Sequence, residues 1–245
     1  MNKAHITMRS CISLAAVFVA TTFATGAIAD DNRQRAIKSM KPSAYWPLDE
    51  RVTIQQSVRD AAGRDDGFID GVRVAQPGSA PGRLSITFGT TPGINLVDTG
   101  AAVQGNGART TIAWIKTTNS NPQAVVATGT PAVAQAFNLV VGYSGCASVG
   151  LMGWDDDFYP CGAFLADDAW HMIAATYDGA GNLNLYVDGV LDASTSISYN
   201  TVGQNNYIGR SNHVGFEAPF QGSMENVAIF PRALSGAEIA KLAGS

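Results

Sequence analysis

The chain is poor in charge: of 245 residues only 15% are Asp, Glu, Lys or Arg, acidic residues outnumber basic ones 20 to 16, and no basic run occurs anywhere. Nucleic acid and anionic membrane surfaces are held mainly by clustered Lys and Arg, so both are excluded as partners. Cysteine and histidine are equally scarce, three of each. They show no zinc-type spacing, and neither a phosphate-binding glycine loop nor a nucleophile elbow is present. No internal repeat or low-complexity linker divides residues 42–245. With 46% of the whole chain hydrophobic, that stretch can build one domain with a sizeable core.

Long apolar runs are also lacking, with one exception. Lys3 and Arg9 precede an apolar run from Cys11 to about Ala24, and Ala27-Ile28-Ala29 follows with small residues where a signal peptidase reads. Ser13, Thr21, Thr22 and Thr25 interrupt the run, which is short for a span of about 20 apolar residues. Residues 1–29 are therefore expected to be a secretory signal peptide cut after Ala29. No membrane insertion is expected after cleavage, and the destination is periplasm, cell surface or medium. Its removal takes two basic residues and no acidic one, so the formal charge goes from −4 to −6. It also leaves two cysteines, Cys146 and Cys161. In an exported protein an even pair points to one disulfide, closing a loop of about 15 residues and worth roughly 3 kcal/mol in the chain-entropy model. Two free buried thiols are the alternative.

What is present is a series of short runs of strand-forming residues between Gly, Asn, Asp and Pro turns. They are Ala44–Leu48, Leu84–Phe88, Ile94–Val97, Thr110–Thr117, Ala124–Ala127, Phe137–Gly142, Ser148–Met152, Trp170–Tyr177, Leu183–Val187, Ser194–Ser198, Asn206–Ile208 and Phe220–Phe230. This pattern predicts an all-β sandwich or barrel. Residues 30–41 form either a short helix on the outside of the domain or a frayed arm. The one clear helix is terminal: Ser235 followed three residues later by Glu238 is a capping box, with Leu234, Ile239 and Leu242 on the apolar side.

The stretch Trp170–Leu191 organises the rest. Its two strand runs are joined by Asp178-Gly179-Ala180-Gly181-Asn182, and a second turn, Asp188-Gly189, leads into Val190-Leu191. A three-stranded antiparallel meander is predicted. Leu183, Leu185 and Val187 share its core face; Asn184, Tyr186 and Asp188 share the other, expected to look toward solvent.

Four segments in order resemble the LamG-like jellyroll family, which has the concanavalin A-like lectin/glucanase fold. They are Ala44-Tyr45-Trp46-Pro47-Leu48-Asp49-Glu50 with Asp60-Ala61-Ala62-Gly63; Thr111-Ile112-Ala113-Trp114-Ile115-Lys116-Thr117; the Trp170–Leu191 hairpin; and Phe220–Phe230 followed by Arg232-Ala233-Leu234-Ser235. The resemblance implies an all-β, two-sheet antiparallel jellyroll sandwich over residues 42–245 with a short C-terminal helix. It implies that Trp114 and Trp170 are core. Members include glycan binders, adhesion modules, accessory domains of glycanases and surface proteins, and fold alone does not choose among them.

The family often holds calcium where the first and last strands meet, and calcium needs several hard oxygen ligands. The resemblance offers Glu50, Asp60, Glu225 and Asn226. Members commonly place two aspartates where this chain has Glu225 and Asn226. Adjacent strand residues point to opposite faces, so only one of that pair is expected to face such a site. The alternative is a set of capped turns with no metal.

Glycosidases of this fold place two glutamates four residues apart on one strand face. The chain has only Glu50, Glu217, Glu225 and Glu238, and the positions four after the first three are Ile54, Gln221 and Ile229. A non-catalytic protein is expected. The binding-site candidate is Trp154-Asp155-Asp156-Asp157-Phe158-Tyr159, inside the loop that Cys146 and Cys161 would close. Three carboxylates and three aromatics crowd together there, the composition of sites that stack and hydrogen-bond sugars. A tight hairpin with its Asp residues in water is the competing reading. The expected function is an exported lectin-like or adhesive module for a glycan, with a structural or protein-binding component of the envelope as the alternative and a glycanase as a third.

Overall fold

The computed structural model describes residues 32–51, 57–63, 65–69, 71–90, 93–96, 103–203, 206–213 and 218–245; the expected signal peptide lies outside the described residues. The N-terminal arm is a helix, α1 (Asn32–Ser39). The strands that follow are β1 (Ala44–Trp46), β2 (Ser57–Val58), β3 (Gly67–Ile69), β4 (Arg73–Pro77), β5 (Leu84–Phe88), β6 (Ile94–Leu96), β7 (Arg109–Lys116) and β8 (Gln123–Ala127). After them come β9 (Asn138–Val141), β10 (Val149–Met152), β11 (Trp170–Tyr177), β12 (Asn182–Val187), β13 (Val190–Ser196), β14 (Asn206–Ile208), β15 (Gly222–Phe230) and the terminal helix α2 (Gly236–Ala243).

They form two antiparallel sheets, a jellyroll-like sandwich as the sequence predicts. One sheet has the order β13-β12-β11-β7-β15-β5-β4, with β1 also paired to β15; the other runs β10-β9-β8-β14-β6-β3-β2. The main core lies between them and is lined by Trp46, Phe88, Phe137, Tyr177, Tyr199 and Phe220, with Leu183, Leu185 and Val187 of β12 contributing the predicted face. Because successive strand residues point to opposite sides, every strand that feeds this core also presents residues outward.

On the eight-stranded sheet that outer face is only partly open to solvent: of the three positions expected there, Asp188 is exposed and Asn184 half-buried, but Tyr186 is covered. Tyr186 is only 7% exposed. It packs with Ile112, Trp114, Met172, Ala174 and Phe230 beneath Ile37 of α1 and Ile239 and Leu242 of α2. Both helices are amphipathic and need an apolar surface; this is it. The Ser235–Glu238 capping box is formed as predicted and starts α2 where it can lie on the sheet. Gly189, at φ 85°, sits under α2, where a Cβ would come within 2.9 Å of the Ala243 side chain and 3.0 Å of the Ala240 backbone. Only glycine combines that turn with so close a helix.

The meander β11-β12-β13 is present as predicted, with Ile173 opposite Val187 and Val187 opposite Val190. Its second turn is locked from the side: Asp188 Oδ1 accepts from the Met172 N–H at 2.8 Å, while Oδ2 meets His171 Nδ1 at 2.7 Å. His171 Nε2 lies 3.2 Å from Asp167 Oδ1. Burial pulls the imidazole pKa down, but the two aspartates together outweigh it and the net shift is upward. A raised folded-state pKa means that the clamp stabilises fully below the ordinary imidazole value of about 6.5 and is lost as pH rises through the folded pKa. His171→Gln is therefore expected to cost a few tenths to about 1 kcal/mol near pH 5 in urea unfolding, with the gap closing at alkaline pH. A gap that is the same at both ends of the pH range refutes the clamp.

Candidate functional site

The seven-stranded sheet also has an outer face, and no helix covers it among the described residues. Leu139 and Val141 of β9 and Val149 and Leu151 of β10 point into the main core. Asn138, Val140, Gly150 and Met152 must then point outward. Ala124, Val140 and Met152 form a small apolar floor, and Tyr143, Trp154 and Tyr159 pack against it while remaining partly exposed.

The candidate segment 154–159 is a tight reversal after β10. Trp154 and Asp155 both adopt left-handed backbone, at φ 61° and 72°, a conformation that costs roughly 1–2 kcal/mol per L-residue. The reversal is held by the Gly153 N–H donating to Asp157 Oδ1 at 2.8 Å. Reciprocal Leu151 and Phe158 backbone bonds, at 2.9 and 2.8 Å, close it. The Cys146–Cys161 disulfide is formed, with Cα atoms 5.4 Å apart, and Ser148 Oγ ties the Pro160 carbonyl at 2.6 Å.

The structure separates the six predicted residues. Phe158 turns inward and packs on the main core, so it is structural. Trp154 and Tyr159 face outward. Asp155 and Asp157 are exposed beside them and Asp156 is half-buried. Two aromatics that the sequence reading did not place in the site complete it. Tyr143 stacks on Tyr159 with centroids 5.2 Å apart, and the His213 ring lies 4.6 Å from that of Trp154. Burial, then the nearby Asp157, pushes both tyrosine phenols up, so they remain neutral hydroxyls.

Beneath Trp154 is an amide network. Asn212 Oδ1 accepts from Asn138 Nδ2 at 3.0 Å and from Trp154 Nε1 at 3.4 Å, and Asn212 Nδ2 donates to the Gly129 carbonyl at 2.7 Å. His213 Nδ1 is buried without a partner among the described residues. The result is a braced aromatic surface edged with carboxylates and one unsatisfied ring nitrogen.

The calcium candidates behave differently. Glu225 is fully buried, and its carboxylate pairs with Arg33 of α1 and accepts from the Ser79 N–H at 2.9 Å and the Ser79 hydroxyl at 2.6 Å. Asn226 Oδ1 accepts from the Tyr45 hydroxyl. Asp60 accepts three backbone N–H groups, from Tyr45, Ala62 and Asp65, at 2.8, 2.9 and 3.2 Å. Glu50 takes the Arg59 N–H; burial holds it above its ordinary value, reinforced by Asp49 and Asp66. Among the described residues no three His, Cys, Asp or Glu side chains gather where an ion could be held. The donor set does not fit calcium, because an arginine already occupies the place of the cation at Glu225.

The expectation that Glu225 and Asn226 point to opposite faces is also corrected. Asn226 has φ 53° and lies in a register shift between β15 and β7, so alternation breaks. Both side chains end up on one side, with Asn226 Nδ2 donating to Glu225 Oε1 at 3.3 Å. Trp114, expected in the core, is 3% exposed and carries the Arg33 guanidinium 4.4 Å over its ring. Arg33→Met leaves Glu225 buried and unpaired, and about 3 kcal/mol of stability or more is expected to be lost. Added calcium or chelator should leave the melting temperature of the unmodified protein unchanged. A rise with calcium would show a metal that the described donors do not account for.

Residues 88–240 match the concanavalin A-like lectin/glucanases superfamily. No curated protein matches the sequence. Among solved structures, domain 4 of AbnA, an extracellular GH43 arabinanase from Geobacillus stearothermophilus in complex with arabinotriose, aligns with a TM-score of 0.61 at 18% identity, covering 83% of this chain and 98% of that one. The CBM40 of the Ruminococcus gnavus IT-sialidase aligns with a TM-score of 0.52 at 22% identity over 66% of this chain and 96% of that one. The botulinum neurotoxin serotype D binding domain gives 0.60 at 12% identity over 85% of this chain, which spans only 52% of that one. At these identities the likeness is one of fold. With the family match extending over most of the sandwich, the chain belongs to the concanavalin A-like lectin/glucanases superfamily.

Proposed function

We propose that the protein is an exported, non-catalytic glycan-binding module whose site is the outer face of the seven-stranded sheet around Trp154. The observation that carries this reading is the asymmetry of the sandwich. One outer face is sealed by α1 and α2, while the other presents Tyr143, Trp154 and Tyr159 partly exposed on a rigid floor. A pyranose offers an apolar C–H face and a ring of hydroxyls. Trp154 and the Tyr143–Tyr159 stack suit the first, and Asp155, Asp156 and Asp157 suit the second. A domain of the same fold carries arabinotriose in its complex. Export rests on the N-terminal segment, and the lack of catalysis on the missing glutamate pair.

A protein-binding role in the envelope is the second reading. Val190 and Leu191, 69% and 53% exposed, lie on β13, an edge strand of its sheet that could accept another strand. A glycan array together with a pull-down from envelope extract separates the two. Trp154→Ala is expected to keep the melting temperature within a few degrees and to weaken glycan binding about tenfold, some 1.4 kcal/mol. Replacing Cys146 and Cys161 together by Ser should weaken binding as well, because the reversal at Trp154 loses its brace. A flat array with a positive pull-down transfers the function to the edge strand.

A further inference from the structure

Beyond Trp154 the same face has a second half. In β3 Gly67 is buried and Ile69 packs on the main core, and in β6 Ile94 and Leu96 are core. In β14 Ile208 is core. Phe68, Asn95 and Tyr207 therefore point outward. They are also in register: Phe68 is opposite Asn95, and Asn95 is opposite Tyr207. Directly opposed residues of antiparallel strands share a face, so the three make a row across adjacent strands. Phe68 and Tyr207 are separated by two strand spacings, roughly 10 Å, a distance that a disaccharide spans. Phe68 is 55% exposed and Asn95 is exposed, an uncovered aromatic beside an uncovered amide.

The row ends in a charge. The Arg210 guanidinium sits over the Tyr207 ring, 4.5 Å from its centroid, and its Nε reaches only the Ser211 carbonyl at 3.4 Å. No carboxylate among the described residues pairs with it. A guanidinium held on an aromatic face keeps its remaining N–H donors in a fork that matches a carboxylate. Arg210 and His213 belong to one short segment, anchored between them by the buried Ser211 and Asn212. Asn212 in turn holds Trp154. The cationic end and the Trp154 end are thus two parts of one braced surface, and Asp155, Asp156 and Asp157 crowd the latter.

We propose that Phe68, Asn95, Tyr207 and Arg210 form an acidic-sugar subsite. It takes a carboxylate-bearing saccharide unit with the carboxylate on Arg210, while the Trp154 end takes a neutral unit of the same chain. This rests on the glycan-binding reading and adds the charge class of the ligand. Charge complementarity selects it: a carboxylate placed at the Trp154 end meets three aspartates, and at Arg210 it meets an uncommitted cation.

The test is calorimetry of the mature chain with sialyllactose and with a neutral xylo-oligosaccharide bearing a single glucuronic acid, each against its methyl ester, which separates sialic from uronic acid. One acid is expected to bind, with affinity falling about tenfold for its ester, about tenfold for Arg210→Gln, and measurably as salt rises. Phe68→Ala, at an exposed position, should weaken it several-fold without changing the melting temperature. If acid and ester bind alike, or Arg210→Gln binds the acid as well as the native chain, the subsite is wrong. Neutral glycans that bind and are lost with Trp154→Ala, beside acids that do not bind, overturn this proposal and leave the glycan-binding function standing. No binding of any glycan overturns both.

Discussion

The buried pairing of Arg33 with Glu225 is the constraint on which the arrangement of this sandwich turns. Strand β15 has to serve three partners: β7 along one edge, and β5 and then β1 along the other. The change from β5 to β1 falls at Glu225 and Asn226, where the backbone breaks alternation. That break drives a carboxylate into the interior, which is tolerable only with a partner there. Arg33 supplies it from α1, stacking on Trp114 on the way. The helix is thereby fixed against the eight-stranded sheet, and with α2 it seals that face.

How much of this could be read beforehand depended on whether the signal was local. The β11-β12-β13 meander was legible because its turn chemistry and alternation lie within one stretch. Asp178 Oδ1 caps its first turn by accepting from the Ala180 and Asn182 N–H groups, as an Asp before glycines should. The capping box of α2 was legible for the same reason. What the helices cover was not. Tyr186 alternates with core leucines and reads as an outward residue, and it is one; only the packing of two sequence-distant helices makes outward mean buried. The bulge at Asn226 was equally hidden, because strict alternation is the assumption by which a strand is recognised. β2, β3 and β4 escaped because they are short or lie in a stretch whose Asp and Gly content reads as loop.

The candidate site was half legible. Composition and the two cysteines pointed to residues 154–159, and Trp154, Tyr159 and the three aspartates do share an outer face. Phe158 went inward because its backbone bridges Leu151, a pairing that no spacing rule exposes. His213 read as an isolated histidine in a loop; its role comes from packing its ring against Trp154, 59 positions earlier. Phe68, Asn95 and Tyr207 each occupy the middle of a three-residue strand, where alternation marks them as outward. Their alignment needs the order β3-β6-β14, which sequence does not state.

The two faces of the sandwich thus solve the same problem in opposite ways. Alternation obliges each sheet to show a second face, and an apolar second face must be covered or put to use. The eight-stranded sheet covers its own, at the cost of a buried ion pair. The seven-stranded sheet leaves its apolar floor narrow, at Ala124, Val140 and Met152, and surrounds it with groups that tolerate water: partly exposed aromatic rings, the Asn95 amide, aspartates and an arginine laid on a ring. Such a surface is too polar to be a core and too rigidly braced to be an incidental loop. The disulfide, the Asp157 turn and the Asn212 network all hold aromatic rings in fixed positions at the water interface. Rigidity of that kind stabilises the sandwich, the disulfide by roughly 3 kcal/mol in the chain-entropy model, and it has a second effect. It lowers the entropy that a ligand must overcome on binding, which is the physical reason to read this face, and not the sealed one, as functional.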